Sequence, residues 1–373
     1  MTRAIEILRE LVAIPSVSPI SNRAVMEAAA RVLSANGWEA RLLPYQDLHN
    51  VEKVNLIARP AGQSSAMVDL AFVCHTDTVP FDIEAWPEAT TLVERDGMLH
   101  GRGACDVKGS LAAILGAIAE VPTSEIKRDV AVILTADEEI GCIGATKLLA
   151  AETLRANQVL VCEPTSLRPA VAGKGYGLAE MVVTGAEAHS AFPRQGRSAI
   201  YAAAAIIKMI ETASFTATFN HIFDPPLTTF NVGTIEGGTA KNIIPGECRF
   251  LVEWRPLPEE SPADGIAWLN QLASEAAKTH PGCEVSIKVM RADKGFAYDA
   301  ESPFVSGLAE QLGTEPMGIS FGSEATRFAA IADEVVVLGP GNMHTAHSSR
   351  ECIPVDELEA FVECVAALLR GDR

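Results

Sequence analysis

Residues 130–139 of the chain, VAVILTADEE, begin as an uninterrupted apolar run and end in three acidic residues. The same pattern, a largely apolar run followed by polar or glycine residues, recurs as VDLAFVCHTD at 68–77, VLVCEP at 159–164 and VVVLGPG at 335–341. Such runs predict strands that are buried on both faces, as in a mostly parallel sheet. Helical patterns separate the strands, which predicts an α/β sandwich with helices on both faces of the sheet. These patterns cover 2–12, 22–36, 107–119, 144–154, 303–312 and 355–369.

A different order of elements interrupts this alternation. Strand and helix patterns follow one another as β-α-β-β-α-β, which is the ferredoxin-like split motif. They lie at 178–184, 197–211, 229–235, 248–255, 263–279 and 285–290. We therefore predict an α/β domain formed by residues 1–175 and 291–373, with an α+β domain inserted at 176–290.

The composition is typical of a folded globular protein and argues against a general nucleic-acid binder. The chain has 373 residues, of which 48% are hydrophobic and 21% charged, and its formal net charge is −18. Binding to a phosphate backbone requires clustered Lys and Arg, which this acidic balance does not favour. The same excess of acidic residues is compatible with a site built from carboxylate metal ligands.

The sequence shows no pattern typical of a membrane or export segment. The longest apolar stretch, 111–119, is shorter than the ~20 residues that cross a bilayer, and the first helical pattern is amphipathic, unlike a secretory signal. The eight cysteines include no Cys-x-x-Cys pair, which favours reduced thiols. We expect a cytoplasmic protein without nucleic-acid or membrane partners.

Ionisable residues follow the predicted strands where each strand ends. The carboxyl ends of parallel strands meet at one edge of an open α/β sheet, where ligands bind. Two histidines and several carboxylates at one edge form the ligand inventory of a carboxylate-rich dinuclear zinc site. These residues are His75 and Asp77, Glu138 and Glu139, Glu163, His347 in the loop after the last strand, and Asp106 in a glycine-flanked turn.

The spacing of these residues indicates a division of roles. Asp106 comes from a separate turn and is the natural bridge between two ions. Asp77 lies two residues after His75, so its carboxylate could accept the second imidazole N–H. Glu138 and Glu139 are adjacent and point in opposite directions in an extended chain. One would bind metal and the other would act as the general base, and the spacing alone does not say which.

Each residue also has an ordinary interpretation. A histidine at a strand end is commonly a surface residue, a Glu-Glu pair is commonly a solvated loop, and Asp106 could cap the following helix. A hydrolase that uses Ser or Cys stays open as an alternative. A receptor that kept the fold but lost catalysis also stays open as an alternative. Nucleotide-binding loops and the His-Glu-x-x-His motif are absent from the sequence.

Over essentially its whole length the chain resembles the dinuclear-zinc aminoacylase and carboxypeptidase family. The stretches that carry the resemblance occur in the same order as in that family. They are CHTDTVP at 74–80, GACDVKG at 103–109, TADEE at 135–139, CEPTS at 162–166, AHS at 188–190, KNIIPGE at 241–247 and AH at 346–347.

The resemblance implies a role for each residue of the metal site. His75 and Glu163 would hold one Zn²⁺ and Glu139 and His347 the other, with Asp106 bridging both. Glu138 would be the general base and Asp77 would orient His75. Two ions are implied per subunit, and Co²⁺ or Mn²⁺ would suit the same ligands.

For the inserted domain the resemblance implies a lid that also forms a homodimer. His189 of this lid would reach the site of the other subunit and stabilise the oxyanion of the reaction. A positioned donor of this kind contributes roughly 10²–10³ in rate. The interpretation that the sequence alone favours for His189 is a surface histidine.

Within the family the segments EPTSL at 163–167, RPLP at 255–258 and LGPG at 338–341 are most similar to acetylornithine deacetylases. This implies removal of the acetyl group from N2-acetyl-L-ornithine, a step in arginine biosynthesis. Asn242, Arg255 and Arg327 are candidates for binding the substrate α-carboxylate, and Glu324 for binding its side-chain ammonium. Gly322 and Ser323 depart from the pattern, so acetylcitrulline, N-succinyl-diaminopimelate and a dipeptide stay open as substrates.

Overall fold

The computed structural model describes residues 2–215 and 218–371. The chain divides into two compact units. The first consists of the residues up to Val171, Tyr298–Met317 and the residues from Ser323 onward, and the second consists of Ala172–Ala297 and Gly318–Gly322.

The helices and strands of the described residues follow in chain order. The helices are α1 (Arg3–Ala13), α2 (Arg23–Ala35), α3 (Lys108–Glu120), α4 (Ile143–Ala151), α5 (Ala199–Thr212), α6 (Pro262–Thr279), α7 (Pro303–Leu312), α8 (Ala325–Phe328) and α9 (Val355–Arg370). The strands are β1 (Trp38–Gln46), β2 (Glu52–Pro60), β3 (Met67–His75), β4 (Val93–Arg95), β5 (Met98–His100), β6 (Val130–Thr135), β7 (Arg155–Val161), β8 (Ala170–Gly173), β9 (Tyr176–Thr184), β10 (Ala188–His189), β11 (Thr229–Gly237), β12 (Ile243–Ile244), β13 (Glu247–Arg255), β14 (Glu284–Asp293), β15 (Phe296–Ala297), β16 (Met317–Ile319), β17 (Ala332–Val337) and β18 (Cys352–Pro354).

The main sheet of the first unit confirms the predicted α/β class. Its strands lie in the order β1-β2-β6-β3-β7-β17-β8. The four strands β6, β3, β7 and β17 are neighbours and run parallel, so their carboxyl ends share one edge. These are the four apolar runs that the sequence indicated. The antiparallel edge strand β1 was not predicted, since its partly exposed residues do not form an apolar run.

Helix α3 forms the centre of the helical layer in the first unit. Nearly every residue of α3 is buried, as expected for a helix that is apolar all round. Helices α1 and α9 pack against it. Each fully buried Leu or Ile side chain, such as Leu111 and Ile114, contributes about 1.5–3 kcal/mol relative to an exposed position. The turn that precedes α3 is therefore anchored on a rigid element.

The second unit has the predicted ferredoxin-like topology. Its four-stranded sheet has the order β11-β13-β9-β14, and every neighbouring pair is antiparallel. Helices α5 and α6 pack on this sheet around a core that includes Met181, Ile206 and Phe250. Helix α6 begins with a capping box, in which Ser261 accepts from the main chain and Asp264 accepts from the Ser261 N–H.

Gly177 in β9 is a position where the packing of this sheet excludes a side chain. It pairs with Trp254 in β13, and a Cβ at Gly177 would lie 1.9 Å from a ring carbon of this fully buried tryptophan. Because the ring cannot move without opening the core, we expect Gly177→Ala to destabilise the protein by about 1–3 kcal/mol. Urea unfolding followed by tryptophan fluorescence measures the change. The control is Gly233→Ala in β11, where the nearest atom is 3.8 Å away, and equal effects of both variants would contradict the prediction.

Two further sequence expectations concern cysteines and membranes. No disulfide joins any of the eight cysteines, all of which lie in the described part of the chain and are buried. Within residues 2–215 and 218–371, none of the helices combines the length and the apolar character needed to pass through a bilayer.

Candidate metal centre

Asp106 lies between two imidazoles at the carboxyl edge of the main sheet. His75 ends β3, Asp106 lies in the turn before α3, and His347 follows β17. The His75 Nε2 atom lies 3.0 Å from Asp106 Oδ1, and the His347 Nε2 atom lies 3.0 Å from Asp106 Oδ2. Each carboxylate oxygen thus faces a different histidine. This is the arrangement expected of a carboxylate that bridges two ions.

Two glutamates complete the ligand set that the sequence predicted. Glu139 Oε2 lies 3.2 Å from His347 Nε2, whereas Glu139 Oε1 is buried without a hydrogen-bond partner among the residues that the structure describes. Ligand atoms of His75, Asp106 and Glu139 all lie within 4.8 Å of one another and could hold a metal ion. Glu163 follows β7 and is buried. The five predicted ligands therefore lie at the edge that the strand order predicted.

The electrostatics of this cluster fit a divalent cation. Burial raises the pKa of Glu163 well above its ordinary value, and the nearby charges of Asp106 and Glu138 add to this against the opposing effect of His75. Hydrogen bonds to Asp106 and Glu139 raise the pKa of His347 to about 10. The crowded carboxylates therefore favour positive charge at this position. Zinc, cobalt and manganese all bind imidazole nitrogen and carboxylate oxygen as ligand atoms. The Glu139 Oε1 atom, which has no hydrogen-bond partner among the described residues, offers an additional ligand atom.

Asp77 has contacts that differ from the predicted one. The His75 Nδ1 atom bonds to the main-chain oxygen of Asp77 at 3.0 Å, whereas the Asp77 carboxylate lies 3.8 Å away. That carboxylate accepts hydrogen bonds from the N–H groups of Glu138 at 3.0 Å and Glu139 at 3.3 Å, and from the Ser18 hydroxyl at 2.8 Å. The expectation that the carboxylate accepts from His75 is therefore wrong in detail. The carboxylate faces the Glu138-Glu139 turn because these amide donors lie closer.

Glu138 has a carboxylate that few protein groups engage. Its Oε1 atom accepts from the Cys142 thiol at 3.4 Å, which is a weak hydrogen bond. Burial, together with the nearby carboxylates of Glu139 and Glu324, raises the pKa of Glu138 to about 8, against the opposing effect of His75. A carboxylate with a raised pKa and a free oxygen is suited to accept and return a proton.

A buried network behind this turn includes residues that sequence reasoning missed. Asp137 has φ +57°, a left-handed conformation that Asp adopts more readily than most residues. Its carboxylate lies 2.9 Å from the Lys53 ammonium and accepts from the Tyr45 hydroxyl at 2.8 Å. Lys53 is buried and also donates to the main-chain oxygen of Ile20 at 2.8 Å. No sequence motif marked this network, and Lys53 lies in β2 together with other polar residues such as Asn55 and Arg59.

The predicted residues Glu324 and Arg327 belong to the first unit. Glu324 is buried, and one of its carboxylate oxygens accepts from the Thr135 hydroxyl at 2.8 Å. The other oxygen, Oε1, is buried and has no hydrogen-bond partner within the described part of the chain. Burial raises the pKa of Glu324 to about 7. Arg327 lies on α8, and its main-chain N–H donates to the Glu324 main-chain oxygen at 2.8 Å.

The predicted residues His189, Asn242 and Arg255 belong to the second unit. His189 is exposed on β10. The next residue, Ser190, donates its main-chain N–H to the main-chain oxygen of Asn242 at 3.0 Å, so His189 and Asn242 lie near each other. Arg255 ends β13, where its guanidinium lies 4.4 Å from the centre of the Tyr176 ring and forms an ion pair with Glu253 at 3.0 Å. The oxyanion role of His189 and the substrate-binding roles of Asn242 and Arg255 stay predictions.

Comparison with known proteins agrees with this fold. The chain is 43% identical to acetylornithine deacetylase of Myxococcus xanthus over 367 residues, which cover 98% of this chain and 95% of that protein. Its fold matches the aminopeptidase PepT of Bacillus cereus (TM-score 0.78, 23% identity, 100% and 98% of the two chains). It also matches the Bacillus subtilis YXEP protein, a dinuclear metal binding peptidase (TM-score 0.71, 18% identity, 99% and 97%).

The match to a family extends over most of the chain. Residues 71–371 match the family described as peptidase family M20/M25/M40, and this range includes every one of the residues predicted for the site. The chain therefore belongs to peptidase family M20/M25/M40, a family of metal-dependent hydrolases.

Proposed function

We propose that this protein removes the acetyl group from N2-acetyl-L-ornithine, giving acetate and L-ornithine as a step in arginine biosynthesis. The observation that carries the chemistry is Asp106, whose two oxygens each face a different imidazole beside Glu139. The similarity of 43% over 98% of the chain to a protein named acetylornithine deacetylase supports the substrate.

The residues present would hold two zinc ions, with cobalt or manganese as alternatives. His75 and Glu163 would hold one ion and Glu139 and His347 the other, with Asp106 shared between them. Ions bound there would polarise the acetyl carbonyl and lower the pKa of water at the site. The carboxylate excess and the orphaned Glu139 oxygen support this assignment.

Proton transfer is the task that we assign to Glu138. Its carboxylate would take a proton from the attacking water while the water oxygen bonds to the acetyl carbon. It would then give that proton to the α-nitrogen as the C–N bond breaks, so that acetate and the free amine leave. Asp77 would hold Glu138 in place through the main-chain N–H, as the 3.0 Å hydrogen bond suggests.

Four of the predicted residues would recognise the substrate. Asn242, Arg255 and Arg327 would bind the α-carboxylate, since a guanidinium matches a carboxylate in two hydrogen bonds. Glu324 would bind the side-chain ammonium of ornithine. Its buried orphaned oxygen supports this role, because a bound ammonium would complete the hydrogen bonding of that carboxylate.

The assembly completes the proposal. Residues 176–290 would form a lid and dimerisation domain on a catalytic domain of residues 1–175 and 291–373. In a cytoplasmic homodimer, His189 from a second copy of the chain would donate a hydrogen bond to the carbonyl oxygen as negative charge develops on it. Lid closure would exclude water from the reaction.

The test is a substrate profile of the protein stripped with a chelator and then reloaded with Zn²⁺ or Co²⁺. We expect activity only after reloading, with kcat/KM for N2-acetyl-L-ornithine highest in a panel with acetylcitrulline, N-succinyl-diaminopimelate and a dipeptide. The preference over acetylcitrulline should be about tenfold or more, because a hydrogen bond to a charged group contributes about 1.5–3 kcal/mol.

The variant Glu324→Gln tests the role of Glu324 in substrate binding. It should reduce the preference for the ornithine side chain while the metal content stays the same. Activity that persists in the stripped protein would contradict the metal assignment. Higher kcat/KM for another member of the panel would overturn the proposed substrate and keep the chemistry.

A further inference from the structure

The turn that carries Asp106 is held by a buried carboxylate, Glu351, for which no role follows from the motifs. Glu351 is fully buried. Its Oε1 atom accepts hydrogen bonds from the main-chain N–H groups of Cys105 and Asp106, each at 3.1 Å. Its Oε2 atom accepts from the Arg102 guanidinium at 2.5 Å. Both oxygens are therefore engaged by the turn at residues 101–106.

Arg102 is itself held in place. It is buried, and its guanidinium lies 5.2 Å from the centre of the Trp86 ring. Its main-chain N–H donates to the Ala89 oxygen at 2.7 Å. A buried carboxylate requires a partner of opposite charge, and the fixed position of Arg102 directs Glu351 toward the turn.

The chain connection joins this contact to the histidine that faces Asp106. Glu351 lies four residues after His347 and directly before β18, which pairs with β5. Strand β5 ends directly before the turn, so the pairing of β18 with β5 fixes the two segments side by side. The segment that supplies His347 to the Asp106 side chain thus supplies Glu351 to the Asp106 main chain.

We propose that Glu351 is a positioning residue for metal binding, which orients Asp106 and keeps its turn in register with the His347 loop. The inference rests on the metal centre proposed above. Ligands that are oriented before the ion arrives bind it more tightly, and groups that support the ligands are the usual means of orienting them. Glu351 contacts no ligand atom, so it acts through the main chain of Asp106.

The test is the zinc affinity of Glu351→Gln, measured by competition with a chromophoric chelator. The glutamine has the same shape, but its NH₂ group must face either Arg102 or the two main-chain N–H groups, all of which are donors. We expect the affinity to fall by about 10–100-fold. The double variant Arg102→Met/Glu351→Gln lets the glutamine oxygen face the two N–H groups, so it should bind zinc more tightly than the single variant.

Separate measurements distinguish a folding defect from weaker zinc binding. The midpoint of thermal unfolding is measured with and without zinc, because weaker binding reduces the metal-induced rise of the midpoint, whereas a purely structural defect lowers both midpoints alike. Glu260→Gln in the second unit is the matched control, since Glu260 is a buried carboxylate that accepts from the Thr228 hydroxyl. If Glu351→Gln does not fold, Glu351→Asp keeps the charge and shortens the reach, and the same loss of affinity is expected.

The outcomes separate the two proposals. Zinc binding by the wild type with weaker binding by the Glu351 variant supports the inference. Equal affinities of the wild type and the variant would overturn the inference and leave the metal centre standing. A wild type that binds no zinc would overturn both.

Discussion

Replacing Glu138 with glutamine is expected to lower kcat on N2-acetyl-L-ornithine by about 10²–10⁴-fold, the contribution of a general acid–base group. Glutamine keeps the main-chain hydrogen bond to Asp77 and the size of the side chain, but it cannot take up a proton. The metal content should stay at the wild-type value because Glu138 is not one of the proposed ligands. Steady-state kinetics and elemental analysis of the same preparation measure both quantities.

The Glu138 experiment also decides between the adjacent glutamates. A Glu138→Gln protein that loses metal as well as activity would make Glu138 a ligand and leave the base to Glu139. Wild-type turnover would show that another group is the base. Glu152→Gln is the control for the chemical change itself, because Glu152 pairs with Arg41 at the surface of the first unit and should tolerate it.

Replacing Asp106 with asparagine should reduce the metal content from two ions per chain to at most one. Asparagine has a single side-chain oxygen, whereas Asp106 presents one oxygen to His75 and the other to His347. The NH₂ group that replaces the second oxygen cannot bind a cation. We expect kcat to fall by more than about 100-fold, the upper value for residues that only support ligands. Equilibrium dialysis followed by elemental analysis counts the ions.

A matched control for Asp106 lies on the strand that ends in His75. Asp69 in β3 accepts from the N–H of Asp129 at 2.9 Å and from the Asn157 amide at 3.2 Å. Asp69→Asn therefore removes a hydrogen-bonded carboxylate in the same unit without touching the metal centre. If Asp106→Asn still bound two ions, the shared position of Asp106 would be disproved.

The edge of the sheet where the metal centre lies could be predicted because it depends on local patterns. Apolar runs such as 130–135 and 159–161 must be buried on both faces, and parallel strands bring their carboxyl ends together. His75, Glu139 and Glu163 follow directly on such runs, so their common location follows from chain order. The ferredoxin-like order of strands and helices in the second unit could be predicted for the same reason, because it also follows from local patterns in chain order.

The contacts of Asp77 could not be predicted, because they depend on segments far apart in sequence. Its carboxylate could have faced His75, two residues away, or the Glu138-Glu139 turn about 60 residues away. Only the register of β3 beside β6 brings that turn within hydrogen-bond distance. The Ser18 hydroxyl, which also reaches Asp77, comes from a loop with no motif of its own.

The sequence by itself determined which strands are buried and which candidate ligands follow them, because burial and chain order are encoded residue by residue. Tertiary structure alone decided how those ligands are held, as in the contact of Lys53 with Asp137 and of Glu351 with the Asp106 turn. A buried charge becomes acceptable only when a partner of opposite charge or a set of N–H donors is brought against it. Which partner this is depends on pairings between distant segments, and no local pattern records them.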